Sequence, residues 1–264
     1  MDHSVNELGQ AIGAPVENWR VPPAPERAVI PGVYCSLVPL EPAAHSSQLH
    51  EAFRQDRAGA DWTYLSYGPF AEAADFHAWV SENYDKPDPL FFAVVDASSG
   101  RAVGLVSFMR IAQNMGSIEI GHIHFSPQAQ RTVVATEAIY LMLKWIFSAG
   151  YRRCEWKCNA LNDASRAAAL RLGFSFEGVF RQAAVVKGRN RDTAWFSMLD
   201  NEWDKLQAAF ESWLAPGNFS PGGRQLCRLS ELTAECLVTG FHNERGEVVL
   251  CVPDAQVPVG TKLL

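Results

Sequence analysis

Hydrophobic residues change their spacing in the middle of the chain, and this change predicts a strand followed by a helix. From Ser117 to Phe125 the residues alternate, which is the period-two pattern of a β-strand. One face of this strand is predicted to carry Ile118, Ile120, His122 and His124. From Thr132 to Ile146 apolar residues recur every three or four positions, which is typical of a buried helix. Thr132 is placed to cap its first turn, and Gly150 is placed to end it.

The remaining pattern adds strands and helices on both sides of this unit. Further strands are predicted at Gly32 to Pro39, Leu90 to Asp96, Arg101 to Arg110, Arg152 to Asn159, Phe174 to Lys187 and Thr193 to Leu199. Helices are predicted from Pro42 to about Arg57, around Phe76 and Trp79, from Leu161 to Leu172, and along Trp203, Leu206, Phe210 and Trp213. Strands that alternate with helices in this way predict a mixed α/β sandwich.

The two ends of the chain differ from its middle in composition. Residues 1–32 are polar and Pro-rich and predict an extended N-terminal arm, ahead of a domain at residues 33–214. Residues 215–264 begin with Pro and Gly and predict a linker, followed by a small hairpin between Leu237 and Val252. Because a lone hairpin is marginal in water, we expect it to pack on the core or on a second subunit, or to be partly disordered.

The loop before the central helix has the chemistry of an anion site. Gln128 to Arg131 leads directly into the predicted helix N-terminus, where backbone N–H groups lack partners and the helix dipole is positive. Arg131 adds a full positive charge. The sequence therefore predicts a phosphate-binding loop here.

Several short motifs accompany this loop. Gln130–Ala135 fits the frame Gln/Arg-x-x-Gly-x-Gly/Ala, with Val133 at the position of the first glycine. Further motifs are Thr136-Glu137-Ala138, Asn162-Asp163-Ala164-Ser165, Leu172-Gly173-Phe174, Glu177-Gly178, Lys187-Gly188-Arg189-Asn190-Arg191-Asp192 and Glu202-Trp203. Together they resemble the GNAT superfamily of N-acetyltransferases, in its RimJ/RimL-like branch, over about Val33 to Leu214. A valine in place of the glycine would keep the backbone further from the pyrophosphate, although its N–H remains a donor.

The resemblance implies a fold, a co-substrate and an acceptor. The implied fold is GNAT-like, with a central, mostly antiparallel sheet, splayed central strands and helices on both faces. The implied co-substrate is acetyl-CoA, bound by Ile123, His124, Phe125, Gln130, Arg131, Thr132, Val133, Val134, Ala135 and Asn162. The acceptor would be a primary amine, either a protein N-terminus or a small molecule. An aromatic loop would wall its pocket through Trp62, Tyr64, Tyr67 and Phe70, although a hydrophobic plug would have the same sequence.

Three residues are candidates for catalysis. Glu119 precedes Gln130 at the spacing that places the general base in the histone-modifying branch of the superfamily, and burial would raise its pKa. The alternative is a structural carboxylate held by a neighbouring backbone group or arginine. Ala169 occupies the position of the family's usual tyrosine acid, so Ser165 is the best remaining hydroxyl to protonate the thiolate, unless it is only a helix-surface or capping serine. Asn162 would hold the pantetheine arm or a catalytic water, unless it only caps the helix.

Composition narrows the choice of partners and compartment. The net charge of −6 argues against nucleic acid and mildly favours cationic amines. No apolar run is long enough to span a bilayer, and the N-terminus lacks the design of a signal peptide, so we expect a cytoplasmic protein with no membrane partner. We expect no metal, since His122 and His124 have no convincing further ligands and Cys154 and Cys158 share one strand face. The sequence does not distinguish a monomer from a homodimer.

These observations predict direct transfer of an acetyl group from acetyl-CoA to an amine. No cysteine lies beside a plausible base in the motif region, so we expect no acyl-enzyme intermediate. A second interpretation is a non-catalytic acyl-CoA-binding module of the same fold. Val133 and Ala169 favour that second interpretation, whereas the retained Glu119, Asn162 and Ser165 favour catalysis.

Overall fold

The computed structural model describes residues 3–238 together with the short strands at 241–242 and 248–249. The strands are β1 His3–Val5, β2 Ala11–Gly13, β3 Ile30–Pro31, β4 Cys35–Pro39, β5 Leu90–Asp96, β6 Ala102–Ala112, β7 Ser117–Phe125, β8 Arg153–Asn159, β9 Ser175–Val186, β10 Arg189–Leu199, β11 Phe241–His242 and β12 Val248–Val249. The α-helices are α1 Pro42–Phe53, α2 Ala73–Asn83, α3 Val133–Ser148, α4 Asp163–Arg171, α5 Asp200–Leu214 and α6 Leu229–Thr233. Short 3₁₀ turns lie at Ala60–Trp62, Gln113–Met115, Pro216–Asn218 and Ala234–Cys236.

Eight strands form one sheet in the order β3-β4-β5-β6-β7-β8-β10-β9. Every neighbouring pair is antiparallel except β7 with β8, which is parallel. That parallel pairing joins Ser117–Glu119 to Arg153–Glu155 and then stops, although both strands continue. The predicted mixed α/β fold with splayed central strands is therefore confirmed.

Both faces of the sheet are buried under helices. One face packs on α3, α5 and α6 through a core that includes Ile118, Ile120, Met142 and Phe210. The other face packs on α1, α2 and the aromatic loop through Leu49, Phe53, Trp62, Phe76 and Phe91. Because apolar residues cover both sides of β5 and β6, these strands are continuous hydrophobic runs rather than alternating ones.

A bulge in β7 reverses the face on which its residues lie. Val106 of β6 lies opposite both His122 and Ile123, and His122 has φ +50°. Ile118 and Ile120 face the α3 side, but after the extra residue it is Ile123 that packs there, and His124 packs against the α1 side. The prediction that His122 and His124 share a face with the two isoleucines is therefore wrong, because one inserted residue shifts the strand alternation by one.

Glu137 fixes the start of the sheet to α3. Its buried carboxylate accepts hydrogen bonds from the backbone N–H groups of Val33, Tyr34 and Cys35, at 2.9, 2.6 and 2.7 Å. A side chain at Gly32 would meet the same carboxylate at 2.7 Å, so only glycine allows the chain to pass so close. The glutamate of the Thr136-Glu137-Ala138 motif therefore has a structural role, because it connects the start of β4 to α3.

The two ends of the chain make more contacts with the central domain than an extended arm and a linker would make. In the N-terminal arm, β1 and β2 pair with each other, and Tyr151 and Gln113 donate hydrogen bonds to the carbonyls of Pro23 and Pro22. Past α5, Leu229 is buried in the main core, and Thr233 donates a hydrogen bond to the carbonyl of Arg171. The residues up to 238 therefore pack on α4 and α5, where a linker was expected. Of the predicted tail hairpin, the described parts are β11 and β12, which are antiparallel; the rest lies outside the described residues.

Replacing Glu137 by glutamine should destabilise the fold, because an amide offers one acceptor oxygen to three donors that a carboxylate satisfies. We expect the free energy of unfolding to fall by about 2 to 4 kcal/mol. Chemical denaturation measures this change. Glu82→Gln, at an exposed position of α2, is the matched control and should have little effect. Equal stability of Glu137→Gln and Glu82→Gln would show that the three hydrogen bonds contribute little.

Candidate active site

The N-terminus of α3 has its backbone donors free. Thr132 occupies the N-cap position, but its side chain accepts no capping bond; its hydroxyl instead donates to the carbonyl of Ala129 at 2.7 Å. The prediction that the Thr132 side chain caps this turn is therefore wrong. Thr136 is the first residue of the turn whose N–H bonds back to Thr132, so the N–H groups of Val133–Ala135 have no intrahelical acceptor. This turn can therefore donate to an anion.

The opening between β7 and β8 leads towards this helix. Beyond Glu119 the backbone of β7 is paired only with β6, so its edge towards β8 is unpaired over Ile123 to Phe125. Phe125 is followed by the loop that enters α3. An extended molecule lying along this free edge could reach the helix N-terminus with an anionic group. Of the predicted co-substrate residues, Ile123–Phe125 form this free edge and Arg131–Ala135 form the end of the loop and the first turn of α3, whereas Asn162 caps α4.

Gln130 has a different set of contacts from those expected. Its side-chain amide donates to the carboxylate of Asp61 at 2.8 Å and to the carbonyl of Phe125 at 3.0 Å. It therefore ties the loop before α3 to the aromatic loop that follows α1.

Glu119 lies at the point where the two central strands part, and it is ion-paired. Its carboxylate is 3% exposed and lies 2.7 Å from the guanidinium of Arg110 and 3.0 Å from the ammonium of Lys157. Lys157 also lies 2.5 Å from Glu155 and 3.8 Å from the ring centre of Trp195. A buried carboxylate needs such partners because desolvation penalises an isolated charge. Glu119 therefore has the ion-pair partners that a purely structural carboxylate would need. Its position where β7 and β8 part is also suitable for a general base.

The two cations that hold Glu119 were not found by sequence reasoning. Lys157 lies on β8, and only the parallel register with β7 brings it beside Glu119. Arg110 lies in a second bulge, with φ +47°, where Arg110 and Ile111 oppose Ile118 of β7. Asp88 accepts hydrogen bonds from both bulged N–H groups, at 2.9 and 3.0 Å. No pattern in the neighbouring sequence predicts that Lys157 or Arg110 contacts Glu119.

The aromatic loop closes the site from the α1 side. The hydroxyl of Tyr64 donates to the carbonyl of Leu161 in the β8–α4 loop at 2.9 Å, and Lys187 in the β9–β10 turn donates to the carbonyl of Trp62 at 2.9 Å. Trp62 itself is 6% exposed and packs edge-on against Phe53 and Phe70. Trp62 is therefore part of the core under α1, and Phe70 packs against it while partly buried. Tyr67 lies beside His122, with ring centres 5.5 Å apart.

The imidazole rings of His122 and His124 pack against the aromatic residues on the α1 side and are neutral. The ring of His124 stacks on Phe53 with centres 3.8 Å apart, and neither of its ring nitrogens has a partner among the described residues. Burial lowers the pKa of both histidines to about 4, and the charges of Arg110 and Arg191 contribute for His122. Within the part of the chain that the structure describes, no three histidine, cysteine or carboxylate side chains could hold a metal ion.

Asn162 and Ser165 are both engaged in local hydrogen bonds. The Asn162 side chain accepts from the backbone N–H of Ser165 at 3.1 Å and caps α4. The hydroxyl of Ser165 accepts from the indole N–H of Trp156 at 3.0 Å. Burial raises the pKa of the Cys158 thiol, and a hydrogen bond between that thiol and the same hydroxyl opposes the rise. A serine hydroxyl can accept and donate at once, so both contacts are satisfied. Ala169 is fully buried.

Comparison with known proteins identifies the family of this chain. A family model described as an acetyltransferase (GNAT) domain matches residues 36–175, which is more than half of the chain. The chain belongs to the GNAT acetyltransferase family. No functionally curated protein matched it. No helix of the described residues is long and apolar enough to cross a membrane.

Solved structures of GNAT proteins resemble the chain over most of its length. A GCN5-related N-acetyltransferase from Brucella melitensis is 45% identical and has a TM-score of 0.81, with coverage of 83% of this chain and 100% of that one. A protein described as a probable acetyltransferase of the GNAT family from Chromobacterium violaceum is 44% identical and has a TM-score of 0.68, over 72% and 96% of the two chains. RimL, a ribosomal L7/L12 α-N-protein acetyltransferase, is 20% identical with a TM-score of 0.57, over 65% and 94%, and shares the fold.

In this GNAT protein the free N–H groups at α3 should matter for CoA affinity. Val134→Pro removes one donor of the first helical turn, where proline is tolerated, and we expect CoA to bind about 10- to 100-fold more weakly, since a hydrogen bond to a charged group contributes about 1.5 to 3 kcal/mol. Calorimetry with CoA measures this loss. Ala74→Pro occupies the same helical position in α2 and is the matched control. Unchanged affinity in a folded Val134→Pro protein would place the pyrophosphate elsewhere.

The buried histidines should make the fold acid-sensitive. Because the pKa of each is about 4 in the folded protein and 6.5 ordinarily, the unfolded chain binds more protons between these values, and stability falls as the pH falls through this window. His124→Phe keeps the stacked ring and removes one of the two groups. Its free energy of unfolding, measured at pH 7 and pH 5, should therefore drop less than that of the wild type. The same drop in both proteins would contradict a buried, neutral His124.

Proposed function

We propose that the protein is an acetyl-CoA-dependent N-acetyltransferase that transfers the acetyl group directly to a primary amine. The observation that carries this proposal is the opening between β7 and β8, which leads from Glu119 along a free strand edge to the uncapped N-terminus of α3. That surface has the length and polarity for a thioester arm that ends in a pyrophosphate. Membership of the GNAT family, whose members use acetyl-CoA, supports the same co-substrate.

Each part of the site has a separate role in this proposal. The N–H groups of Val133–Ala135, with Arg131 beside them, bind the pyrophosphate, and the backbone of Ile123–Phe125 aligns the arm. Bound acetyl-CoA supplies an activated thioester. Holding the amine beside it converts a bimolecular reaction into a local one, which can contribute about 7 to 11 kcal/mol.

Glu119 acts as general base in the proposal, through a water, on the amine of the acceptor. Its place at the strand opening supports this role, and its contacts with Arg110 and Lys157 fix the carboxylate in one orientation. A primary amine is mostly protonated at neutral pH and must lose a proton before it attacks. Ser165 is the proposed donor to the departing thiolate; to act, its hydroxyl would exchange the contact with Cys158 for the thiolate. Asn162 fixes the turn that carries Ser165.

Within the GNAT family, we assign the protein to the RimJ/RimL-like branch. The motifs after the central helix support that branch, and RimL is among the fold neighbours. The acceptor would then be a protein N-terminus or a small amine. We place the catalytic unit at residues 33–214, with the segment up to 238 packed on it as a stabilising extension.

Release of free CoA in the presence of acetyl-CoA and panels of amines and peptides tests the function. We expect release with at least one primary amine and none in its absence. CoA binding without turnover on either panel would favour the non-catalytic module.

Glu119→Gln should lower kcat about 10²- to 10⁴-fold, the usual range for positioned acid–base catalysis. Part of the loss should be recovered as the pH rises, because solvent then deprotonates the amine. Glu177→Gln is the matched control, since Glu177 belongs to the same chain of ion pairs through Arg153 but lies on β9, two strands away from the opening. If both variants slow the enzyme equally, or if Glu119→Gln has the wild-type pH profile, Glu119 has only the structural role.

A further inference from the structure

Three hydrogen-bond donors on the acceptor side of the sheet have no partner. The hydroxyl of Tyr67, the Nε of Arg191 and the indole N–H of Trp195 are all buried and make no hydrogen bond to any residue that the structure describes. Buried donors are normally satisfied, because leaving one unpaired is costly. These three donors are therefore candidates for contact with a ligand.

The strand register places these donors on the face that carries Glu119. Trp195 lies opposite Lys157 in the β8–β10 pairing, and Lys157 contacts Glu119. Arg191 is on the same face of β10 as Trp195, because residues of a strand alternate. Tyr67 reaches this face from the aromatic loop, beside His122. The pKa of His122, the ring beside Tyr67, is lowered by burial and further by the positive charges of Arg110 and Arg191.

The ion-paired charges around Glu119 balance one another. Arg110 and Lys157 contact Glu119, Lys157 also contacts Glu155, and Arg153 contacts Glu155 and Glu177, all within 3.0 Å. His122 and His124 are neutral at physiological pH. Among the described residues, no carboxylate lies within salt-bridge distance of Arg191. The same holds for Lys187, whose ammonium donates to the carbonyl of Trp62. The positive charge of Arg191 therefore remains uncompensated beside the opening, and its Nε has no acceptor among the described residues.

We propose that Arg191, with Trp195 and Tyr67, binds a carboxylate carried by the amine acceptor. This inference rests on the proposed function and specifies the class of its acceptor, which is an amino acid or a peptide with a free carboxylate near the reacting amine. A guanidinium and neutral N–H and O–H donors together match the geometry of a carboxylate. The overall charge of −6 predicts a cationic acceptor, but the charges next to the site favour an anionic group on it.

Matched acceptors test the proposal. Each amino acid is compared with its carboxamide and its decarboxylated amine, for example tyrosine with tyrosinamide and tyramine. Peptides with acidic and neutral residues next to the N-terminus form a second arm, which distinguishes a peptide carboxylate from that of a free amino acid. We expect kcat/KM to be about 10²-fold higher for the carboxylate member in one arm. Equal rates within every matched set would overturn the proposal.

Arg191→Gln should remove that preference by raising KM for the carboxylate acceptor, with KM for acetyl-CoA unchanged. Arg191→Lys should restore part of it. Arg189→Gln removes an exposed charge from the same hairpin and should behave as the wild type. A rise in KM for acetyl-CoA alone in Arg191→Gln would assign the arginine to the co-substrate and overturn the inference.

A binding measurement separates this inference from the proposed function. If the wild type acetylates no acceptor, titration of the same matched sets into the CoA-loaded protein still reports on the site. Binding of the carboxylate member that is lost in Arg191→Gln would support the carboxylate site in a non-catalytic protein. No binding of any carboxylate member to the wild type would overturn the inference.

Discussion

The parallel pairing between β7 and β8 covers only three residues of each strand, and the arrangement of the site depends on where it stops. Up to Glu119 the two strands are held together by backbone hydrogen bonds and by the core under α3. Past Glu119 the β7 edge has lost its neighbour, and unpaired backbone groups need another partner. In the proposed function, acetyl-CoA runs along this edge and provides one. The strand opening, the loop after it and the free turn of α3 follow one another along the chain, as that proposal requires.

Burying Glu119 at this opening creates a second constraint. A carboxylate that is removed from water must be paired, and here the partners are Arg110 and Lys157, each delivered by a different strand. Lys157 in turn needs Glu155, and Arg153 continues the chain of charges to Glu177. The network holds the acceptor face of four strands in register, and its charges balance. Among the described residues Arg191 stands outside this network, and it is therefore the residue to which we assign the carboxylate of the acceptor.

The bulge at His122 connects the opening to the wall of the acceptor pocket. Without the extra residue, His122 and His124 would point into the core under α3 beside Ile118 and Ile120. With it, His124 fills the space between Phe53 and Trp62, and His122 meets Tyr67. The aromatic loop thereby packs on β7 itself, and its hydrogen bonds to Leu161 and the β9–β10 turn close the site.

The sequence by itself determined the features that depend on a few consecutive residues. The change from period two to period three or four located β7 and α3, and the loop between them indicated free N–H donors, because the first turn of any helix has them. The family motifs gave the fold. Only the tertiary structure decided which face His122 and His124 occupy, because pairing with β6 introduced the bulge. It alone brought Arg110 and Lys157 to Glu119, and it left Arg191 without a carboxylate. These contacts join residues of different strands, and their formation depends on register and on the cost of burying charge, neither of which a local pattern contains.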